Sequence, residues 1–249
     1  MTYCIGVSLD AGLVLTSDSR TNAGIDNVST YSKMHRCITT PDRMLVIMSA
    51  GNLATTQSVI QQIRRDVQEG APRNVNTLHY LADVAEYLGD VLVGKIRKHT
   101  EQAGFVPDAT LILGGQIMGR NPNIYMIYPQ GNYITSSEDT PYLQIGESKY
   151  GKPVLDRFLT PEASLEDAAI CSLISMDSTM KSNASVGPPI EVLVYQRDQF
   201  TTPQHYRFDA EDPYLISIRH EWANHLNNAF RSMPRLEEHA LPNGGLHTF

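Results

Sequence analysis

Thr2, directly behind Met1, offers the clearest chemistry in this sequence. Aminopeptidases generally remove Met1 when its neighbour is small, and the chain would then begin with threonine. That residue carries a hydroxyl nucleophile and a free α-amine on one carbon. An α-amine has an unperturbed pKa of about 7.7–8.0, against about 10.4 for lysine, so a fraction is neutral near pH 7. A base whose pKa lies near working pH transfers protons efficiently, and threonine activated by its own amine can attack a carbonyl. A threonine after Met1 is common, so the residues around it decide what it does.

Three further residues could complete such a centre. Lys33 beside Thr2 would favour the neutral amine and stabilise negative charge developing on the hydroxyl. Asp18 would hold that lysine charged and in place, because a buried ammonium needs a partner. The same two residues also read as a structural ion pair at strand ends. Gly51 offers a backbone N–H that a substrate can approach with no side chain in the way. Losing one such oxyanion donor typically costs about 10²–10³ in rate. Gly51 is equally natural as a turn ahead of a helix at Leu53, and Arg20 reads as a structural pairing residue.

The surrounding elements must bring these groups together. Cys4–Val7 and Leu13–Leu15 are apolar runs of strand length separated by the turn-like Asp10-Ala11-Gly12, and read as a hairpin. Asp18-Ser19-Arg20 ends the second strand, Lys33 opens a third over Met34–Thr39, and a fourth over Met44–Met48 runs into Ser49-Ala50-Gly51-Asn52. A hairpin tying the N-terminus into a sheet lets Thr2, Asp18, Lys33 and Gly51 converge. Helical spacing follows over 55–67, and again after an Asn76-Thr77 cap as far as Gly104. Strands are expected at 109–113, 124–128, 133–135 and 142–145, then helices at about 150–158 and 164–181, the latter opened by Ser164. Pro188-Pro189 precedes a strand at 190–195. Strands, two helices, strands, two helices and a strand are the blocks of an α+β layered protein.

The mature N-terminal threonine, the strand ending Ser17-Asp18-Ser19-Arg20, Lys33 after a loop containing Gly24, and Ala50-Gly51 together resemble proteasome β-type subunits, members of the N-terminal-nucleophile hydrolases. Residues 13–24, Ile145-Gly146-Glu147-Ser148-Lys149-Tyr150-Gly151 and Asp177-Ser178-Thr179-Met180 point to the Anbu, or ancestral β-subunit, branch. The resemblance covers roughly residues 2–196 and implies a four-layer αββα sandwich. It also implies a self-associating ring or ring-like spiral that encloses the nucleophile. Many members carry a serine after Val-Gly and an aspartate after the last core helix. Here Glu147 follows Ile145-Gly146 with Ser148 one position later, and Ser182 or Asn183 stands where the acid belongs.

Composition agrees with a globular chain. Of 249 residues, 41% are hydrophobic and 19% charged, enough for a full core. A net charge of −7 argues against nucleic-acid binding. Neither a membrane span nor a secretory leader is visible. Cys4, Cys37 and Cys171 form no CxxC pair and read as buried thiols in a reducing cytoplasm. Gly114-Gly115 reads as strand-end glycines, not a phosphate loop, and the eight histidines suggest no metal site. Residues 1–196 form the hydrolase domain. Residues 197–249 are an extension with one helix, Pro213–Met233, striped by Leu215, Ile218, Trp222, Leu226 and Phe230 to pack on its own domain or a neighbouring subunit. A polar tail, Arg235–Phe249, ends the chain.

The expectation is a cytoplasmic threonine-type peptidase needing no metal or organic cofactor. It acts on peptides or unfolded protein, with an unidentified ATPase or peptide-processing protein as a further partner. A short-peptide amidase and an assembly protein with a vestigial centre remain as alternatives.

Overall fold

The computed structural model describes residues 1–22, 28–201 and 203–236. Gly24 and the tail beyond residue 236 lie outside them.

The hairpin forms as its spacing requires. β1 (Tyr3–Leu9) and β2 (Gly12–Asp18) pair antiparallel, with Cys4 opposite Ser17 and Leu9 opposite Gly12. β3 (Arg20–Asn22) and β4 (Val28–Thr30) make a small separate ribbon, and neither is read from the sequence. β5 (Met34–Thr40) and β6 (Arg43–Gly51) lead to α1 (Leu53–Gln68) and α2 (Leu81–Ala103). Then come β7 (Ala109–Ile117), β8 (Asn123–Ile127), β9 (Tyr133–Thr135), β10 (Tyr142–Gly146), α3 (Lys152–Phe158), α4 (Leu165–Ser182), β11 (Ile190–Gln196), β12 (Gln204–Phe208) and α5 (Pro213–Arg231).

Two five-stranded sheets result, ordered β10-β1-β2-β11-β12 and β5-β6-β7-β8-β9. Alternation along each strand sends side chains to opposite faces. On β1, Tyr3, Ile5 and Val7 face α3 and α4, while Cys4 faces the second sheet. On β6, Leu45 and Ile47 face α1 and α2, while Met44, Val46 and Met48 meet Leu13, Leu15 and Leu193 between the sheets. Helices, sheet, sheet and helices thus enclose three apolar layers, the αββα sandwich expected.

Three expectations need correction. α2 starts at Leu81, not after Asn76-Thr77. Asn74 and Thr77 instead bond each other's surroundings: the Thr77 hydroxyl accepts from Asn74 N at 3.0 Å, and Asn74 Oδ1 accepts from Asn76 N at 2.7 Å. Such local bonds compete with helix. Gly114 and Gly115 lie inside β7, not at its end, because an added Cβ would meet Leu15 Cδ2 at 2.9 Å and the Met44 carbonyl at 2.3 Å. β12 extends the first sheet within the C-terminal stretch, where no strand was expected. α5 docks beside α4 through Leu215 and Ile218, and Trp222 meets Phe158 edge-on at 6.1 Å, whereas Leu226 and Phe230 stay exposed.

Candidate active site

Thr2 sits at the start of β1, between β10 and β2. Its carbonyl accepts the Glu147 N–H at 2.7 Å. The approach is close because Gly146 has φ +84°, and a Cβ there would lie 1.9 Å from Thr2 O. Only glycine adopts that conformation freely. The chain is therefore pinned at the threonine's own carbonyl.

Asp18 ends β2 and is fully buried. Its Oδ1 accepts from Lys33 Nζ at 2.7 Å and from Tyr3 N at 3.0 Å; its Oδ2 accepts from Gly187 N at 3.3 Å. Lys33, just before β5, also donates to the Arg20 carbonyl at 2.6 Å. Burial raises the Asp18 carboxyl above the usual carboxylate range, opposed by the Lys33 ammonium and the Tyr3 and Gly187 N–H groups. One carboxylate oxygen thus couples the backbone beside Thr2 to the lysine.

Thr2, Lys33 and Gly51 line one cavity of about 760 Å³, together with Met1, Ser49 and the first three turns of α1. Gly51 ends β6 with φ +109°, and a Cβ would meet the Asp108 carbonyl at 2.4 Å. Asn52 caps α1, its side chain accepting from Thr55 N at 3.1 Å.

The supporting residues separate. Arg20 donates through Nη1 to the Ala184 carbonyl at 2.8 Å and so ties the 184–187 loop to β3. Ser148 contributes its carbonyl, which accepts from Lys152 N at 3.2 Å ahead of α3. Ser182 is exposed at the end of α4. Asn183, the cap of that helix, donates Nδ2 to Glu147 Oε2 at 3.1 Å while its Oδ1 accepts from Ser185 N at 3.0 Å. The acidic group is thus on Glu147, buried and itself the residue whose N–H holds the Thr2 carbonyl, and the neutral amide is on residue 183. Spacing gave no sign of this pair, nor of the backbone groups of Arg20 and Gly187 that complete the Asp18–Lys33 cluster. Among the described residues, no cluster of three or more His, Cys, Asp or Glu side chains could hold a metal ion.

A family model for the proteasome subunit matches residues 2–195. The chain belongs to the proteasome subunit family. A curated proteasome subunit beta of Haloquadratum walsbyi is 27% identical over 213 residues, 84% of this chain and 79% of that one. Two solved members are more similar. Anbu (ancestral beta-subunit) from Yersinia bercovieri shares 43% identity at a TM-score of 0.89, covering 94% of this chain and 99% of its own. The helical assembly of the Anbu complex from Pseudomonas aeruginosa shares 40% identity, also at 0.89, over 98% and 100%. These matches place the chain on the Anbu side of the proteasome family, whose fold and peptidase type are those of the N-terminal-nucleophile hydrolases.

Proposed function

We propose that this proteasome-family subunit is a threonine-type peptidase whose nucleophile is Thr2, liberated when Met1 is removed. The observation that carries the reading is the joint hold of Asp18 Oδ1 on Tyr3 N and Lys33 Nζ, directly behind a threonine that faces an open cavity. Removal of Met1 frees an amine on the same carbon as the hydroxyl. The neutral amine takes the hydroxyl proton as Oγ attacks the scissile carbonyl, and the nearby ammonium of Lys33 favours both the neutral amine and the forming oxyanion. Gly51 N–H is the donor assigned to that oxyanion. The protonated amine then gives its proton to the departing amine, leaving an ester on Thr2. Water attacks that ester, with the same amine as base, and peptide acid is released.

Self-association belongs to the same proposal. The Pseudomonas relative is a helical assembly. Here the far half of α5 offers Leu226 and Phe230, 49% and 72% exposed, as apolar surface for a neighbouring copy. A ring or spiral would screen Thr2 from folded proteins.

The Glu147–Asn183 pair favours a second reading, in which the assembly persists but the centre is vestigial, because the charge beside the N-terminus is carried differently from the family pattern. A β-lactone or epoxyketone probe separates the two. Labelling that disappears in Thr2→Ala while the oligomer persists supports the peptidase. Absence of labelling in protein whose Met1 has been removed contradicts it.

A further inference from the structure

The cavity beside Thr2 continues along α1, and every charged side chain on its lining among the described residues is a cation. Lys33, His35 and Arg64 line it and, among the described residues, no aspartate or glutamate does, in a chain whose net charge is −7. Lys33 is neutralised by Asp18 beneath it. Arg64 makes no ion pair among the described residues. The nearby acids are committed elsewhere: Asp66 accepts from Gln62 and Tyr87, and Glu191 is held by Ser19 and His205.

The positions form a line. Lys33 and His35 alternate along one strand direction, so they share a face about 6.6 Å apart. Gln57, Gln61 and Arg64 follow one another at helical spacing on the exposed ridge of α1, above the buried Thr56 and Ile60. Leu53, at the start of the helix, adjoins Gly51. Arg64 lies about 16 Å further along the axis, and its side chain leans back toward the helix N-terminus. Burial and the neighbouring Arg64 charge hold His35 below the usual imidazole range, leaving it neutral at pH 7. The guanidinium is then the cleft's one unneutralised permanent charge among the described residues, flanked by the His35 ring and two glutamine amides.

We infer that this end of the cleft receives a substrate carboxylate on Arg64, so that the peptidase selects acidic peptides. A planar guanidinium binds a carboxylate through two parallel hydrogen bonds, which an amide of the same shape cannot reproduce. An extended chain rises about 3.3–3.6 Å per residue. The axial separation of about 16 Å, less roughly 6 Å for the reach of the Arg64 side chain back along the helix, therefore puts the acidic residue roughly three residues from the scissile carbonyl. The inference rests on the peptidase reading for which bond is cut, though not for the binding itself.

Two measurements test it together. Fluorogenic acetyl-tetrapeptide amides carrying Glu or isosteric Gln at each of the three positions before the cleaved bond are compared by kcat/KM. In parallel, the matching non-cleavable acetyl-peptide amides are titrated by calorimetry against the assembled Thr2→Ala variant, with a free C-terminal acid as a separate arm. The expected result is a Glu-over-Gln preference of about tenfold or more at one position, as a charged hydrogen-bonded contact gives. It should be lost in Arg64→Gln, reversed in favour of Lys in Arg64→Glu, and weakened by salt. Preference only for the free C-terminal acid would assign Arg64 to a chain terminus and overturn the side-chain selection. Turnover with Glu and Gln equal, or a preference untouched by Arg64→Glu, overturns the carboxylate site and leaves the peptidase standing. Selective binding without turnover by the wild type does the reverse, and neither binding nor turnover overturns both.

Discussion

Oδ1 of Asp18 lies 2.7 Å from Nζ of Lys33, and neither side chain is more than 8% exposed. A buried pair of this kind owes its persistence to mutual compensation, because removing one partner strands the other charge in a medium of low dielectric. Breaking such a pair typically costs about 3–5 kcal/mol, whereas replacing both partners by apolar residues costs far less. Asp18→Leu or Lys33→Met alone should therefore lower unfolding free energy by about that amount in urea, at fixed protein concentration. The double variant should recover most of the stability yet remain unlabelled by a threonine-directed probe. Equal losses adding in the double variant would show that the two groups do not compensate each other.

Asp18 also gives the site a pH signature. Its folded carboxyl titrates above the ordinary carboxylate value, chiefly through burial. For an acid shifted upward, the native state binds the extra proton, so the stability from this group is present at low pH and is lost as pH rises through the folded pKa. Activity runs the opposite way, since Lys33 needs an ionised partner. Acidification should thus extinguish labelling at a pH above the usual carboxylate range. Because protonation relieves the burial of Asp18 only by leaving Lys33 without its partner, stability should change less across this range than it does in either single variant. A separate limb should report the Thr2 amine, with an unperturbed value of about 7.7–8.0. Asp18→Asn should abolish the pH-dependent stability difference. Persistence of that slope in the variant would assign it to another group.

The Glu147–Asn183 contact supplies a test of charge placement. Asn183→Asp would set two carboxylates about 3.1 Å apart and force one to hold a proton. It should destabilise the N-terminal region and reduce labelling, even though it brings residue 183 nearer the family pattern. Adding Glu147→Ser should restore both, with a coupling energy of about 0.5–3 kcal/mol between the two changes. A double-mutant cycle reads this directly; additive losses would mean that the contact does not govern the site.

Gly146 is the backbone counterpart. Its φ of +84° and the 1.9 Å between a hypothetical Cβ and Thr2 O leave Gly146→Ala no relaxed conformation. A non-glycine residue pays about 1–2 kcal/mol for left-handed geometry even in open space. Gly104, at φ +73° with nothing nearby, is the control that isolates that term. Gly146→Ala should melt well below Gly104→Ala and lose probe labelling. Matching melting temperatures would show that the Thr2 carbonyl is easily displaced.

Much of this arrangement was readable before any coordinates. Apolar runs of strand length and the turns between them placed β1, β2, β5 and β6, and a hairpin tying the N-terminus into a sheet let Thr2, Lys33 and Gly51 converge. Groups without a side-chain signature were not readable: the Arg20 carbonyl and the Gly187 N–H that complete the shell around Asp18 and Lys33 have no sequence marker. Asn183 and Glu147 meet only because α4 ends against the turn after β10, a tertiary relationship that spacing does not encode. β12 was missed because its side chains are almost all exposed and lack an apolar alternation. Asn76-Thr77 reads as a helix cap and is a turn instead, because asparagine and threonine stabilise turns through the same bonds.

Intact-mass spectrometry of the assembled protein, before and after a β-lactone probe, tests the nucleophile most directly. Thr2 as nucleophile predicts a chain lacking Met1 that gains one adduct, mapped to Thr2 and absent from Thr2→Ala. A chain that keeps Met1 yet hydrolyses peptides, or an adduct that survives Thr2→Ala, would contradict it.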